Sequence, residues 1–411
     1  MPSAVFEILL LAALGLACWK LGRSKPAQLP AAVSPRGLVP ALATLLSIVL
    51  AADLLSFFHS LSENPHGEWD AWAIWNLHAR FLSTPYWREL FSPAIPWTHP
   101  DYPLLLPGFI ARVWTVLGER DPNAPAAVAF VFTFAAIGLL GGTIAALRGR
   151  VQGLLAALVL ASTPYFIARG AAEYADTPVA FFILATLALL SLEDRRWPAR
   201  RGLSILAGIC ACMAAWTKNE GLLLIALLVP LRVALIWRAR GRAAALRQLT
   251  WFAAGLAPVL ALLLLFKLTL ATTNANIGGH SAADFAHLLA DTSRWQVVIV
   301  EMGKGILRFG GLPVGTVPVL AAYTAWVGID RGADRVSLFT LSAALVLLLV
   351  GYCFVFVVSP GEIHWQTDNA VGRLLLQLWP ATVFLAFLLA NRLDRPAPDA
   401  HGDAAGPPAA E

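Results

Sequence analysis

Four short stretches of the sequence bring together side chains able to move protons or hold anions. The first, GEWDAWAIWNLHAR at 67–80, carries Asp70 with Glu68 two residues earlier, and leads into His99, Asp101 and Tyr102 within WTHPDYPLLLPG at 97–108. As a general base, Asp70 can take a proton from an acceptor hydroxyl or amine; it also reads as a solvated loop carboxylate. The second, RGAAEYADTPVAFF at 169–182, sets Arg169, Glu173 and Asp176 ahead of Thr177 and Pro178, which mark a helix start. Asp176 there reads as a working carboxylate or as a cap favoured by the helix dipole, and Arg169 and Glu173 as groups that orient a polar substrate. The third, WTKNEG at 216–221, supplies Lys218, a fixed positive charge suited to a phosphate, with snorkelling to the headgroup level as the competing reading. The fourth, SPGEIHWQTDNAVGRLLLQLWP at 359–380, holds His364 and Arg373; arginine can grip phosphate or sugar oxygens by two parallel hydrogen bonds. Combined on one side of a membrane, these stretches describe a cavity lined by carboxylates, a lysine, an arginine and aromatics.

The elements that must position them are apolar helices. Of 411 residues, 58% are hydrophobic and only 13% charged, with a mean hydropathy of +0.68, whereas a soluble chain carries about 25% charged residues. That excludes a soluble enzyme, a disordered chain and a nucleic-acid-binding domain. A span needs about 20 mainly apolar residues, and segments near 4–22, 37–59, 124–147, 150–168, 177–192, 203–217, 220–237, 250–270, 308–328, 337–358 and 372–390 qualify. The fold class expected is therefore all-α, a polytopic membrane protein of about eleven spans, with interfacial helices in the long loop 60–123. Within that loop, 103–119 contains Pro103, Pro107 and Arg112 and reads as an interfacial helix. Trp69, Trp72 and Trp75 recur every three residues, so a helix there would aim them at one face; an aromatic belt anchor is the plainer reading.

Charge sets the direction. Lys20, Arg23, Lys25 and Arg36 follow the first apolar run and none precedes it, which argues against a cleaved signal peptide and places the N-terminus outside and the C-terminus in the cytoplasm. The alternate loops agree: 18 Lys and Arg fall on the inner side against 10 outside, and 15 of the 25 acidic residues lie outside. The net charge of +5 is then positive-inside bias, with no nucleic-acid partner implied. The chain divides into an N-terminal helix and cytoplasmic loop at 1–36, a membrane unit at 37–394, and a Pro/Ala/Gly-rich tail at 395–411 expected to be disordered. Cys18, Cys210, Cys212 and Cys353 all lie in apolar runs without a CxxC and read as small buried hydrophobes. The absence of P-loop, GxSxG, HExxH or GxGxxG patterns in a fitting context turns the reading away from ATP-driven transport and from serine or zinc hydrolases.

The order of these segments resembles the GT-C superfamily of membrane glycosyltransferases, above all its protein O-mannosyltransferase and aminoarabinose-transferase branch. The resemblance covers roughly 37–240, with an echo at 372–380. It rests on Glu68-Trp69-Asp70, on Ala79-Arg80-Phe81-Leu82, on His99-Pro100-Asp101-Tyr102-Pro103, on Asp176-Thr177-Pro178 and on Thr217-Lys218. It implies an inverting transfer of a sugar from a polyprenyl-phosphate carrier, at the outer face of the plasma membrane, to a glycan, lipid or protein acceptor. By that resemblance Asp70 and Asp176 are the catalytic carboxylates, Lys218, Arg80 and Arg373 bind the donor phosphate, and Glu68, Trp72, His99, Asp101, Tyr102, Glu173 and His364 line the substrate. The branch works without a metal, and no cofactor is implied. Two features depart from the family: two spans precede the acidic loop instead of one, and no outer soluble domain follows the last span. A transporter or flippase for lipid-linked sugars is the rival class, and a structural subunit of an envelope complex a third. Matching halves, the mark of many transporters, are not seen in the sequence.

Overall fold

The computed structural model describes residues 32–33, 37–195, 201–274, 278, 281–330, 332, 334–393 and 395–396. The apolar run at 4–22 and nearly all of the tail at 395–411 lie outside the described residues. Fifteen helices of seven residues or more dominate what is described. In chain order they are α1 (Leu38–Glu63), α2 (Asn76–Leu82), α3 (Leu105–Leu117), α4 (Asn123–Arg148), α5 (Arg150–Ala161), α6 (Pro164–Ala171), α7 (Asp176–Arg195), α8 (Arg201–Thr217), α9 (Glu220–Arg240) and α10 (Arg242–Thr269), followed by α11 (Ala282–Ala290), α12 (Thr292–Arg308), α13 (Thr316–Val327), α14 (Arg335–Val358) and α15 (Ile363–Leu389). The only extended pairing among the described residues is the two-residue antiparallel contact of Ala32–Val33 with Arg395–Pro396 and a single bridge from Ile329 to Ala390.

Seven of the helices, α1, α4, α7, α9, α10, α14 and α15, are long and apolar enough to cross a bilayer, and the pair α5–α6, bent by 61° at Ser162–Thr163, makes an eighth if taken as one span. Of the eleven expected, the one at 4–22 lies outside the described residues, and two of the others fall short for local reasons. The expected span at 308–328 is interrupted by FGGLPVG at 309–315, where Gly310 and Gly311 take φ of 115° and 80° and Pro313 has no amide hydrogen to donate. Only the 12 residues of α13 remain helical there. The segment expected at 203–217 forms α8, whose 17 residues sit at the lower edge of a spanning length. The segment at 103–119 forms α3, 13 residues long and thus about 20 Å, too short to cross.

Burial orders the bundle. In α7, 78% of the apolar window is packed inside the protein and in α15 67%, against none of it in α1. The two helices that begin or carry Asp176 and Arg373 are therefore the best-packed spans, and the peripheral α1 leans on α5 and α6. Glycines allow the closest crossings. A Cβ on Gly208 of α8 would stand 2.1 Å from the Phe252 carbonyl oxygen, and one on Gly255 of α10 would stand 2.0 Å from that of Ile205; small residues of this kind let membrane helices approach backbone to backbone.

The two ends of α7 are anchored differently. At its far end, about 30 Å from Asp176, Asp194 accepts two hydrogen bonds from Arg232 at 2.6 and 2.7 Å, one from Arg240 at 2.9 Å and one from Ser337 at 3.1 Å. Beside it, Glu193 accepts from Ser204 at 2.5 Å and from Gln248 at 2.8 Å. Five helices, α7, α8, α9, α10 and α14, meet in this buried network. Asp194 is paired with two arginines and Glu193 is held by two neutral donors, so the polar atoms are satisfied as burial requires.

Candidate active site

The near end of α7 collects a second charged cluster. Asp176, fully buried, accepts from Lys218 Nζ at 2.9 Å and Gln377 Nε2 at 2.6 Å on one oxygen, and from Arg373 Nε at 2.9 Å on the other. The same guanidinium reaches Asp70 through its terminal nitrogen. Lys218 also holds Glu220 at 2.9 Å, and Gln377, donating to Glu220 at 3.2 Å, accepts from the Tyr352 hydroxyl at 3.0 Å. Asp176 is thus no mere helix cap: its carboxylate accepts from three side chains of other elements. Burial alone would lower the Lys218 pKa, but the carboxylates of Asp176 and Glu220 outweigh it and hold the ammonium well above the ordinary lysine value.

The local sequence explains each placement. Asp70 ends the turn after α1 and opens a π-helical turn over Ala71–Trp75, a form frequent at functional sites. Lys218 lies in the tight α8–α9 connection, where a Cβ on Gly221 would meet Ala214 carbon at 2.1 Å. Arg373 sits on α15 one turn before Gln377, so both face Asp176. The Tyr174 ring lies 4.6 Å from the Arg373 guanidinium carbon and 5.7 Å from that of Arg169.

The remaining expected residues divide into three groups. Glu68 pairs with Arg169 at 2.5 Å. Tyr102 and His99 stack at 4.4 Å, and Tyr102 stacks on Trp75 at 5.4 Å; burial lowers the His99 pKa while Asp101 and Asp70 oppose it, and burial raises that of Tyr102. Asp101, only 2% exposed, accepts from Asn219 at 2.8 Å and Asn274 at 2.7 Å, with the Lys267 ammonium 4.0 Å away. These belong to the walls of the cluster. Glu173 is bound to Asn76 at 2.9 Å, behind the loop that carries Tyr174. Arg80, Trp72 and His364 are exposed. Arg80 makes no ion pair among the described residues, and His364 lies nine residues ahead of Arg373 on α15, about 13 Å along the axis. The tryptophan triplet does not share a face: Trp75 is fully buried while Trp69 and Trp72 are exposed and meet edge to face at 4.5 Å, because residues i and i+6 of a helix lie about 120° apart.

Sequence reasoning passed over Glu220, Gln377, Tyr352 and Tyr174. Gln377 carried a signal, a polar side chain one turn from Arg373 inside an apolar span. Lys267 carried another, since ionisable groups at membrane depth need a partner. Among the described residues no group of three His, Cys, Asp or Glu side chains is placed to hold a metal ion.

The described residues thus form an apolar helical bundle with a cluster of carboxylates and cations at one end of α7. Residues 47–276, more than half of the chain, match the profile of dolichyl-phosphate-mannose-protein mannosyltransferases, and the chain belongs to that family. Among solved structures it is similar to ArnT from Cupriavidus metallidurans, both in the apo state and bound to undecaprenyl phosphate, at 16% identity and a TM-score of 0.49, covering 84% of this chain. The chain spans 59% of the length of those structures. A search of curated proteins returns no match.

Proposed function

We propose that the protein is an inverting glycosyltransferase that moves a sugar from a polyprenyl-phosphate-linked donor to a glycan, lipid or protein acceptor at the outer face of the plasma membrane. The observation that carries this reading is the bridge of Arg373 between Asp70 and Asp176, with Lys218 closing on Asp176 from the other side. Family membership supports the donor class. For the outward placement the support is charge: Arg148, Arg150, Arg195, Arg201, Arg238, Arg240, Arg242 and Arg335 all stand at helix ends opposite the cluster, as the positive-inside bias requires.

The geometry suggests an order of events. The Arg373 and Asp70 side chains are 21% and 16% exposed, whereas Lys218 lies deeper at 6%. A donor phosphate, its polyprenyl tail remaining in lipid, meets Arg373 first and competes with Asp70 for the guanidinium. Once Arg373 turns to the phosphate, Asp70 is released to act as base. It takes the proton of the acceptor hydroxyl or amine, whose lone pair forms the new bond to the anomeric carbon. The bond from that carbon to the phosphate oxygen breaks on the opposite side, and the electron pair leaves on the phosphate, where Arg373 and Lys218 stabilise it. Base assistance contributes about 10²–10⁴-fold; positioning and charge stabilisation supply the rest. Exposed Trp69 and Trp72 offer ring surface to sugar C–H groups at the mouth.

The test is mass spectrometry of polyprenyl-phosphate sugars in membranes expressing wild type or Asp70→Asn. Wild type is expected to consume one such lipid and the variant to let it accumulate. If neither changes any pool while a lipid-linked sugar moves between leaflets, the transferase reading fails and a flippase takes its place; the bent α5–α6 pair is the feature such a protein would use. Sidedness is checked with Ser83→Cys and Arg238→Cys in a cysteine-free background. A membrane-impermeant thiol reagent added to intact cells is expected to label only the first.

A further inference from the structure

Glu173 holds φ at 62°, a conformation that side chains other than Asn, Asp and Gly rarely take, in the turn between α6 and α7. The loop is clasped from one side: the Glu68 amide donates to the Ala172 carbonyl at 3.2 Å, and a Cβ on Gly67 would stand 2.8 Å from that oxygen and 3.1 Å from the Glu173 Cβ. Glu173 is 4% and Asn76 6% exposed. One hydrogen bond joins them, from Asn76 Nδ2 to Glu173 Oε2 at 2.9 Å. What is left over is one acceptor on each group, Glu173 Oε1 and Asn76 Oδ1, both buried without a partner. Two orphan acceptors on two groups already joined are costly while the acid is ionised. They become complementary when it is neutral, because a carboxylic acid donates as well as accepts.

Among the described residues no cation reaches Glu173 within ion-pair distance. The titratable groups on the elements around Glu173 are His66, Glu68 and Asp70 on the turn after α1, His78 on α2, Arg169 on α6, and Tyr174 and Asp176 on its own chain segment. Arg169 pairs with Glu68 through one terminal nitrogen and keeps its Nε without a partner, and Asp176 is engaged by Lys218 and Arg373. Among the described residues none forms an ion pair with Glu173. Burial pushes its carboxyl up to about 7, with the Asn76 hydrogen bond pulling the other way.

We propose that Glu173 is a neutral carboxylic acid joined to the Asn76 amide by two opposed hydrogen bonds, and that this pair is a positioning element for the site. It ties α2, and through the turn before it Asp70, to the loop that delivers Tyr174 and Asp176. The distance between the two carboxylates that Arg373 bridges is thereby set by an uncharged clasp. Glu173 acts through these residues and does not touch substrate. The proposal concerns the fold of the loop; only its turnover readout rests on the transferase reading above.

The variant that decides it is Glu173→Gln, which replaces the acid O–H donor by an amide N–H and keeps both hydrogen bonds at every pH. The purified full chain in detergent is compared with Glu173→Gln and Glu173→Ala. At pH 6 the infrared spectrum of wild type is expected to show a protonated-carboxyl band that Glu173→Gln lacks. Because the folded carboxyl titrates near 7 and the unfolded one near 4.5, wild type loses stability as pH rises between those values and is flat above them. Glu173→Gln lacks that loss, so its melting temperature is expected to exceed that of wild type by a margin that grows across this window. The underlying shift in the folding equilibrium is on the order of a hundredfold. Wild-type turnover is expected to fall as pH rises through about 7, Glu173→Gln to keep its turnover there, and Glu173→Ala to be poor throughout. A missing carboxyl band together with a Glu173→Gln protein that melts below wild type at every pH overturns the proposal. If wild type turns over no polyprenyl-phosphate sugar, the transferase reading fails, and the band and the melting curves still decide the clasp.

Discussion

At the scale of single residues, the cluster holds three carboxylates, Asp70, Asp176 and Glu220, against two cations, Lys218 and Arg373. With carboxylates in excess, each cation is costly to lose. Lys218→Met removes the shared partner of Asp176 and Glu220, and breaking a buried pair from one side destabilises by about 3–5 kcal/mol. Its melting temperature in detergent should fall below that of Arg373→Lys, which keeps the charge. Arg373→Lys should instead lose transfer by about 10²-fold or more, since an ammonium cannot reproduce the planar fork that spans both carboxylates. An Arg373→Lys enzyme with wild-type kcat/KM would sever the bridge from catalysis. Asp70, Asp176, Lys218 and Arg373 were legible in the sequence because each is an ionisable residue beside a span end, where desolvation demands a purpose. Gln377 and Tyr352 were not, because an uncharged polar residue in an apolar helix betrays neither its direction nor its partner. Arg80 and His364 passed the same test of type and place, yet the helical turn points them outward.

Elements impose a different constraint, that of approach distance. The α8–α9 hairpin delivers Lys218 and Glu220 only because Gly221 lets the two backbones close, with a would-be Cβ 2.1 Å from the Ala214 carbonyl carbon. Gly221→Ala must push the helices apart, an overpacking cost of about 1–3 kcal/mol, and the shift falls on the residues flanking the Lys218 turn. The expected result is a loss of both melting temperature and turnover. The corresponding change at Gly255, at the α8–α10 crossing remote from the cluster, should lower the melting temperature with less effect on turnover per folded molecule. Equal losses of turnover at both glycines would mean that the hairpin does not set the site. Hydropathy found most of these helices because apolar length is written additively along the chain. It failed at 308–328, where composition stays apolar while two left-handed glycines and a proline end the helix, a local backbone decision that averaging over a window erases.

For the molecule as a whole, the two polar networks sit at opposite ends of one buried helix and do opposite work. The cluster around Asp176 opens toward Asp70 and Arg373, which remain partly exposed, and is built to exchange partners. The network around Asp194 is closed: five helices contribute, and the Asp194 side chain has no exposure left. Apolar faces alone discriminate poorly among helix registers in a bilayer, since lipid tails are as apolar as leucine; a buried, hydrogen-bonded polar network fixes one register. Asp194→Ala leaves the Arg232 guanidinium buried without its carboxylate, a loss of about 3–5 kcal/mol, while Asp194→Ala with Arg232→Met removes both charges and should recover part of it. Because about 30 Å of packed helix separates the two networks, turnover per folded molecule should be the same in wild type and in the double variant. Melting curves in detergent, paired with turnover normalised to folded protein, separate the two contributions. A double variant that melts like wild type yet has lost turnover would show the far network to be coupled to the site, and the division of labour along α7 would have to be abandoned.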